Sequence, residues 1–158
     1  SENYEFENGY VMFLHLLMQI AMMHLTQIAQ KIGVSRGTTH VGMKKMDSIG
    51  LIKSSHLMVN PLKLGYGITA FLGVYLDKSS MYDNVVKELE KIPEIVDCHY
   101  MTGTYSMFIK IICKDTMHLK QILHDSIQQI SGIDRTETFI SLEESFSRPM
   151  KLELPKKN

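Results

Sequence analysis

The apolar residues of this chain read as three helices and a strand up to Asn60-Pro61, and from Ile68 they follow a mixture of strand and helix periods. A proline-marked break between two such patterns divides the 158 residues into two small units, 1–60 and 61–158. In the first, Val11, Leu14, Leu17 and Met18 predict a helix near 8–19. Leu25, Ile28, Ala29 and Ile32 predict a second over 25–32, stopped by Gly33. Ser35 offers an N-cap for a third, 36–48, with Val41, Ile49 and Met46 expected to face inward. A short helix, a Gly-Val-Ser turn and a second helix form the pattern of a helix-turn-helix. Gly50 ends the third helix, and Leu51–Asn60 reads as an extended wing or linker strand.

The second unit alternates differently. Strand-like runs occupy 68–77, 95–101, 105–113 and 135–142, and helical patterns fill 80–92 and 116–130. The order β-α-β-β-α-β is that of a ferredoxin-like sandwich, so the fold class is α+β. Thr102-Gly103-Thr104 joins the middle two strands as a tight hairpin, with Gly103 free to adopt positive φ. Phe71, Phe108, Ile109 and Ile111 are expected to pair this sheet with another subunit. Alternation at Met150, Leu152 and Leu154 suggests a further edge strand.

Charge narrows the function. The net charge is zero, yet between His24 and His56 five basic residues face one acid, Asp47. A local basic excess on a helix-turn-helix is the footprint of binding to double-stranded DNA. Ser35, Arg36, Thr38, Thr39 and His40 open the third helix, where base edges are read, and Lys44 and Lys45 suit phosphates. A two-fold dimer supplies the second half-site that one short helix needs. Cys98 and Cys113 form no CxxC pair, and each is expected to be a buried thiol in a reducing cytoplasm. Residues 11–23, interrupted by His15 and Gln19, fall short of the ~20 apolar residues of a membrane span. No phosphate loop, nucleophile elbow or metal-spaced cluster is present, so neither an enzyme, a cofactor nor a metal is expected.

Ordered motifs carry a resemblance over nearly the whole chain. They are Leu25-Thr-Gln-Ile-Ala-Gln-Lys-Ile-Gly-Val-Ser35, His40-Val41 with Lys44-Lys45-Met46, Gly50-Leu-Ile52, and Asn60-Pro61 with Leu64-Gly65-Tyr66. Ile92-Pro93-Glu94, the Thr102–Phe108 hairpin, Gly132-Ile133 and Arg135-Thr-Glu-Thr138 complete them. Together they resemble the Lrp/AsnC, or feast-famine, transcriptional regulators, nearer the asparagine-responsive branch. The resemblance implies dimers assembling to octamers, with a free amino acid in clefts between dimers. Carried across by position, Tyr100, Thr102, Gly103, Tyr105 and Ser106 line that cleft, with Thr136 and Thr138 from the last strand. Glycine-turn amides suit a carboxylate and hydroxyls suit an ammonium group, with Asp125 a further partner for the latter. Asparagine is the first candidate effector; leucine, glutamine, lysine and methionine are rivals.

The chain departs from the family pattern at three places. Gly9-Tyr10, Met22 and Gly42 stand where polar or charged residues are usual. These departures raise a second reading, an amino-acid-binding protein that no longer binds DNA and acts through mixed oligomers.

Overall fold

The structure, a computed structural model, describes residues 29–31, 33–53 and 58–151, and the chain divides into units 1–63 and 64–158. The helix expected at 8–19, most of that at 25–32, and Leu152 and Leu154 lie outside the described residues. In the first unit α1 spans Arg36–Ser48. The Ser35 hydroxyl accepts the Thr38 amide at 3.1 Å, satisfying one of the orphan donors of the first turn. At the other end Gly50 takes φ 73°, and the Leu51 amide reaches back to the Met46 carbonyl at 2.9 Å. Residues 51–53 and 58–60 carry no strand, so the extended reading of that stretch finds no ladder among the described residues.

The inward face of α1 is rotated from the expected one. Thr39 is its buried residue, and Gly42 and Met43, three and four positions on, share that stripe at partial burial. Val41 lies about 200° around the helix from Thr39. It is 67% exposed and Ile49 is 68% exposed, with Met46 also outside. The small residues Thr39 and Gly42 give no apolar signal, which is why a phase drawn through Val41 and Ile49 misses them.

The second unit is built on one antiparallel sheet of β1 (Ile68–Leu76), β2 (Ile95–Tyr100), β3 (Met107–Cys113) and β4 (Ile133–Ile140), ordered β2-β3-β1-β4. This order with two crossing helices is the ferredoxin-like sandwich. Helix α2 (Tyr82–Glu90) follows a 3-10 turn, Ser79–Met81. Helix α3 (Thr116–Gln121) starts at Asp115, whose carboxylate accepts the His118 amide at 2.8 Å, and runs on as π and 3-10 turns to Gln129.

Alternation divides the sheet into two faces. Leu72 and Val74 of β1 and Met107, Ile109, Ile111 and Cys113 of β3 are fully buried in one core with Val85, Leu89 and Ile127. Each such aliphatic side chain contributes about 1.5–3 kcal/mol on burial. Ile109 and Ile111 therefore belong to the helix side and cannot meet another subunit, contrary to their expected role. Phe71 and Phe108 do face the open side, stacked at 5.9 Å. Cys98 also departs from expectation: it is exposed because β2 is an edge strand, whereas Cys113 is buried.

Gly42 has room to test the helix phase. Among the described residues a Cβ there meets nothing within 4 Å. Gly42→Ala is expected to raise stability by about 1 kcal/mol, read as a higher denaturant midpoint at unchanged m-value.

Candidate functional site

On α1 the residues expected at DNA separate into two groups. Arg36, His40, Lys44 and Lys45 are exposed, with His40, Lys44 and Val41 on one side of the helix. Ser35 and Thr38 join hydroxyl to hydroxyl at 2.8 Å, and the buried Thr39 hydroxyl donates to the Ser35 carbonyl at 3.2 Å. The hydroxyls thus hold the start of the helix while the cations line its outside. No acid stands in the first turn, so nothing there opposes the positive end of the helix dipole.

The hairpin connection is longer than the expected Thr102-Gly103-Thr104. Residues 101–106 connect β2 to β3, and Gly103 sits at φ 97° in their exposed tip. The Met101 amide donates to the Ser106 carbonyl, and the Ser106 amide donates to Val74 of β1, both at 2.9 Å. The Ser106 hydroxyl accepts the Leu76 amide at 3.3 Å. Between these ties, the amides of 102–105 have no acceptor among the described residues. They are free to turn toward an anion.

Tyr105 does not point into the tip. Its ring lies on Gly73, where an added Cβ would stand 2.5 Å from it. Gly73 is paired across the sheet with Phe108 on one side and Glu137 on the other. The ring seated there delivers its hydroxyl to Glu137 Oε2 at 2.6 Å. Tyr75 also donates to Glu137, at 3.3 Å to Oε1, and the Arg135 guanidinium lies 4.1 Å from the Tyr75 ring centroid. The hydrogen bond to Glu137 is the main cause that pushes the Tyr105 phenol up to about 12, with desolvation adding to it.

The remaining predicted residues do not meet within one chain. Tyr100, at the end of β2, packs edge-on against Tyr82 of α2 at 4.2 Å. Thr136 and Thr138 of β4 pair with Val74 and Leu72 of β1. They share Tyr100's face of the sheet but sit at its opposite edge, three strand spacings or about 14 Å away. Asp125 is exposed and paired with its neighbour His124 at 2.8 Å, with no hydrogen bond to the hairpin. Glu137, Tyr75 and Gly73 escaped the sequence reading. The one available signal was that Glu137, between two threonines on a strand, must face the other way.

Among the described residues nothing resembles a catalytic centre. Partial burial, then the Asp97 carboxylate, hold the Cys98 thiol above its usual range and away from a nucleophilic thiolate. No cluster that could hold a metal occurs among the described residues, nor does any helix there reach the length and apolarity of a membrane span.

Known proteins share this plan. Residues 69–150 match the Lrp/AsnC ligand binding domain. The regulatory protein AsnC of Escherichia coli K12 is 36% identical over 150 residues, 95% of this chain and 99% of the relative. The solved structure of E. coli AsnC superposes with a TM-score of 0.73 at 34% identity, covering 93% of this chain and 99% of that one. The L-methionine complex of a Neisseria meningitidis transcriptional regulator shares the fold, with a TM-score of 0.72 at 15% identity over 90% of this chain and 93% of the other. This chain belongs to the Lrp/AsnC family of transcriptional regulators, and its relatives are regulatory proteins rather than enzymes.

The phenol of Tyr105 provides a spectroscopic check. A tyrosine moved from its ordinary 10 to about 12 stabilises the fold in full below about pH 10 and ceases to as pH rises through 12. The alkaline ultraviolet difference titration between wild type and Tyr105→Phe should isolate one phenol ionising near 12, and Glu137→Gln should return it toward the ordinary value.

Proposed function

We propose that this chain is a sequence-specific DNA-binding regulator whose assembly responds to a small amino acid, with asparagine as first candidate. The observation that carries it is the tip at 102–104, whose amides have no acceptor among the described residues while Tyr105 and Ser106 anchor the loop behind them. A glycine at φ 97° lets consecutive amides converge on a carboxylate. Tyr100, Thr102, Gly103, Tyr105 and Ser106 form one wall of the effector cleft, and Tyr105 serves it as an anchor. Thr136, Thr138 and Asp125 of another chain complete it, since the sheet order keeps the two edges apart in one chain. The effector then sits between subunits and is bound according to their assembly.

Homodimers form through the open sheet face, where Phe71, Phe108 and Phe139 lie together, and build toward an octamer. Each dimer presents two copies of α1 to successive major grooves of DNA in the cytoplasm, with Arg36 and His40 at base edges and Lys44 and Lys45 at phosphates. Ser35, Thr38 and Thr39 hold the helix start that aims them.

One observation favours a second reading. Gly42 has no side chain where the family commonly carries a cation, and among the described residues nothing lies within 4 Å of its missing Cβ. In that reading the protein keeps amino-acid binding, lacks DNA binding, and acts through mixed oligomers.

Salt separates the two. A DNA-binding dimer should lose affinity linearly on a log–log plot against salt, and Lys44→Ala should reduce the slope by about one for each phosphate left without its lysine. Binding to duplex DNA that is absent at low salt selects the second reading. For the effector, Gly103→Val should abolish calorimetric amino-acid binding while the dimer stays folded; an unchanged affinity would remove the hairpin from the site.

A further inference from the structure

Among the described ties of loop 101–106, three run to the loop itself or to β1: Met101 amide to Ser106 carbonyl, Ser106 amide to Val74, and Leu76 amide to Ser106 hydroxyl. The fourth is different. The Tyr105 hydroxyl reaches past β1 to Glu137 on β4, at the far edge of the sheet. Gly73 makes the reach possible, because only a residue without a side chain leaves the ring a seat level with Glu137's register position. Glu137 is held in turn by Tyr75, whose ring carries Arg135 and meets the Tyr105 ring edge-on at 5.3 Å. The whole network lies on the open face, and Phe139 adjoins it, its ring centroid 6.1 Å from that of Tyr105.

We infer that Tyr105 is a positioning residue that pins the hairpin across the sheet to Glu137, so that the hairpin and the open face respond to each other. This rests on the effector reading only for the ligand, since the pin itself exists in the free chain. The physical reason is desolvation. When the open face is covered, the Glu137 carboxylate loses water and depends on its phenol partners. Pulling the tip at 102–104 out of place then withdraws Tyr105 and leaves that carboxylate poorly paired. Occupation of the tip and covering of the face are therefore linked, each changing the other's free energy by the same amount.

Amide hydrogen exchange on the full chain, with no amino acid present, tests the pin. Tyr105→Phe keeps the ring on Gly73 and removes only the hydroxyl; it should speed exchange at Met101 and Ser106 about tenfold. Glu137→Ala, two strands from the loop backbone, should do the same, and the double variant should add nothing further. Glu137→Gln, which still accepts a hydrogen bond, should remain within about threefold of wild type. Slow exchange at Ile109 and Ile111 shows that each variant is folded; should Glu137→Ala fail that control, Tyr105→Phe against Glu137→Gln decides. Loop rates within about twofold of wild type in Tyr105→Phe, or effects that simply add, would overturn the inference. A parallel calorimetric titration keeps the two ideas apart: a wild type that binds none of the twenty amino acids sinks the effector reading and leaves the exchange result standing.

Discussion

Tyr105 lies so close on Gly73 that no β-carbon fits between them, and the loop between β2 and β3 takes its course from that contact. A six-residue connection would otherwise be a loose surface turn with little apolar contact. Here its last residues are held by two strands: Ser106 bonds to Val74 and Leu76 of β1, and Tyr105 reaches β4. The tip at 102–104 consequently stands on a fixed base while its own amides stay unengaged. A rigid scaffold under a small set of unsatisfied donors is the arrangement that binds small anions without large reorganisation.

The sheet makes this possible by separating two jobs. One face is filled by β1 and β3 aliphatics packed under α2 and α3, and that face carries the stability of the unit. The other is left with aromatic rings and the Tyr75–Glu137–Tyr105 cluster, the surface through which homodimers are proposed to form. Tyr100 and the threonines of β4 lie at opposite edges of the sheet, so the effector cleft proposed above draws on more than one chain. In the proposed function ligand binding and assembly are one equilibrium, which is what a metabolite-responsive regulator requires.

Much of this was legible in the sequence. The change of period placed the strands and helices of the second unit, and Ser35 and Gly50 bounded α1 at the residues observed. Three things were not legible, each for a physical reason. The buried residue of α1 is Thr39, a small polar side chain invisible to a hydrophobic count. Ile109 and Ile111 looked equivalent to Phe108, because apolar residues on consecutive positions hide which face is the core until the register is known. Glu137 and Gly73 became partners of Tyr105 only through pairing between β1 and β4, strands separated by some sixty residues. Local pattern reading sees elements and caps; it does not see which side chains a sheet brings opposite one another.

Coupling of amino-acid binding to assembly is the central element of the proposed function. Sedimentation of the full-length protein with and without each of the twenty amino acids measures that coupling directly. One amino acid, asparagine first among them, should shift the distribution between dimer and a larger assembly at concentrations where the others leave it unchanged. A distribution indifferent to all twenty would contradict that coupling and leave a regulator whose assembly no amino acid controls.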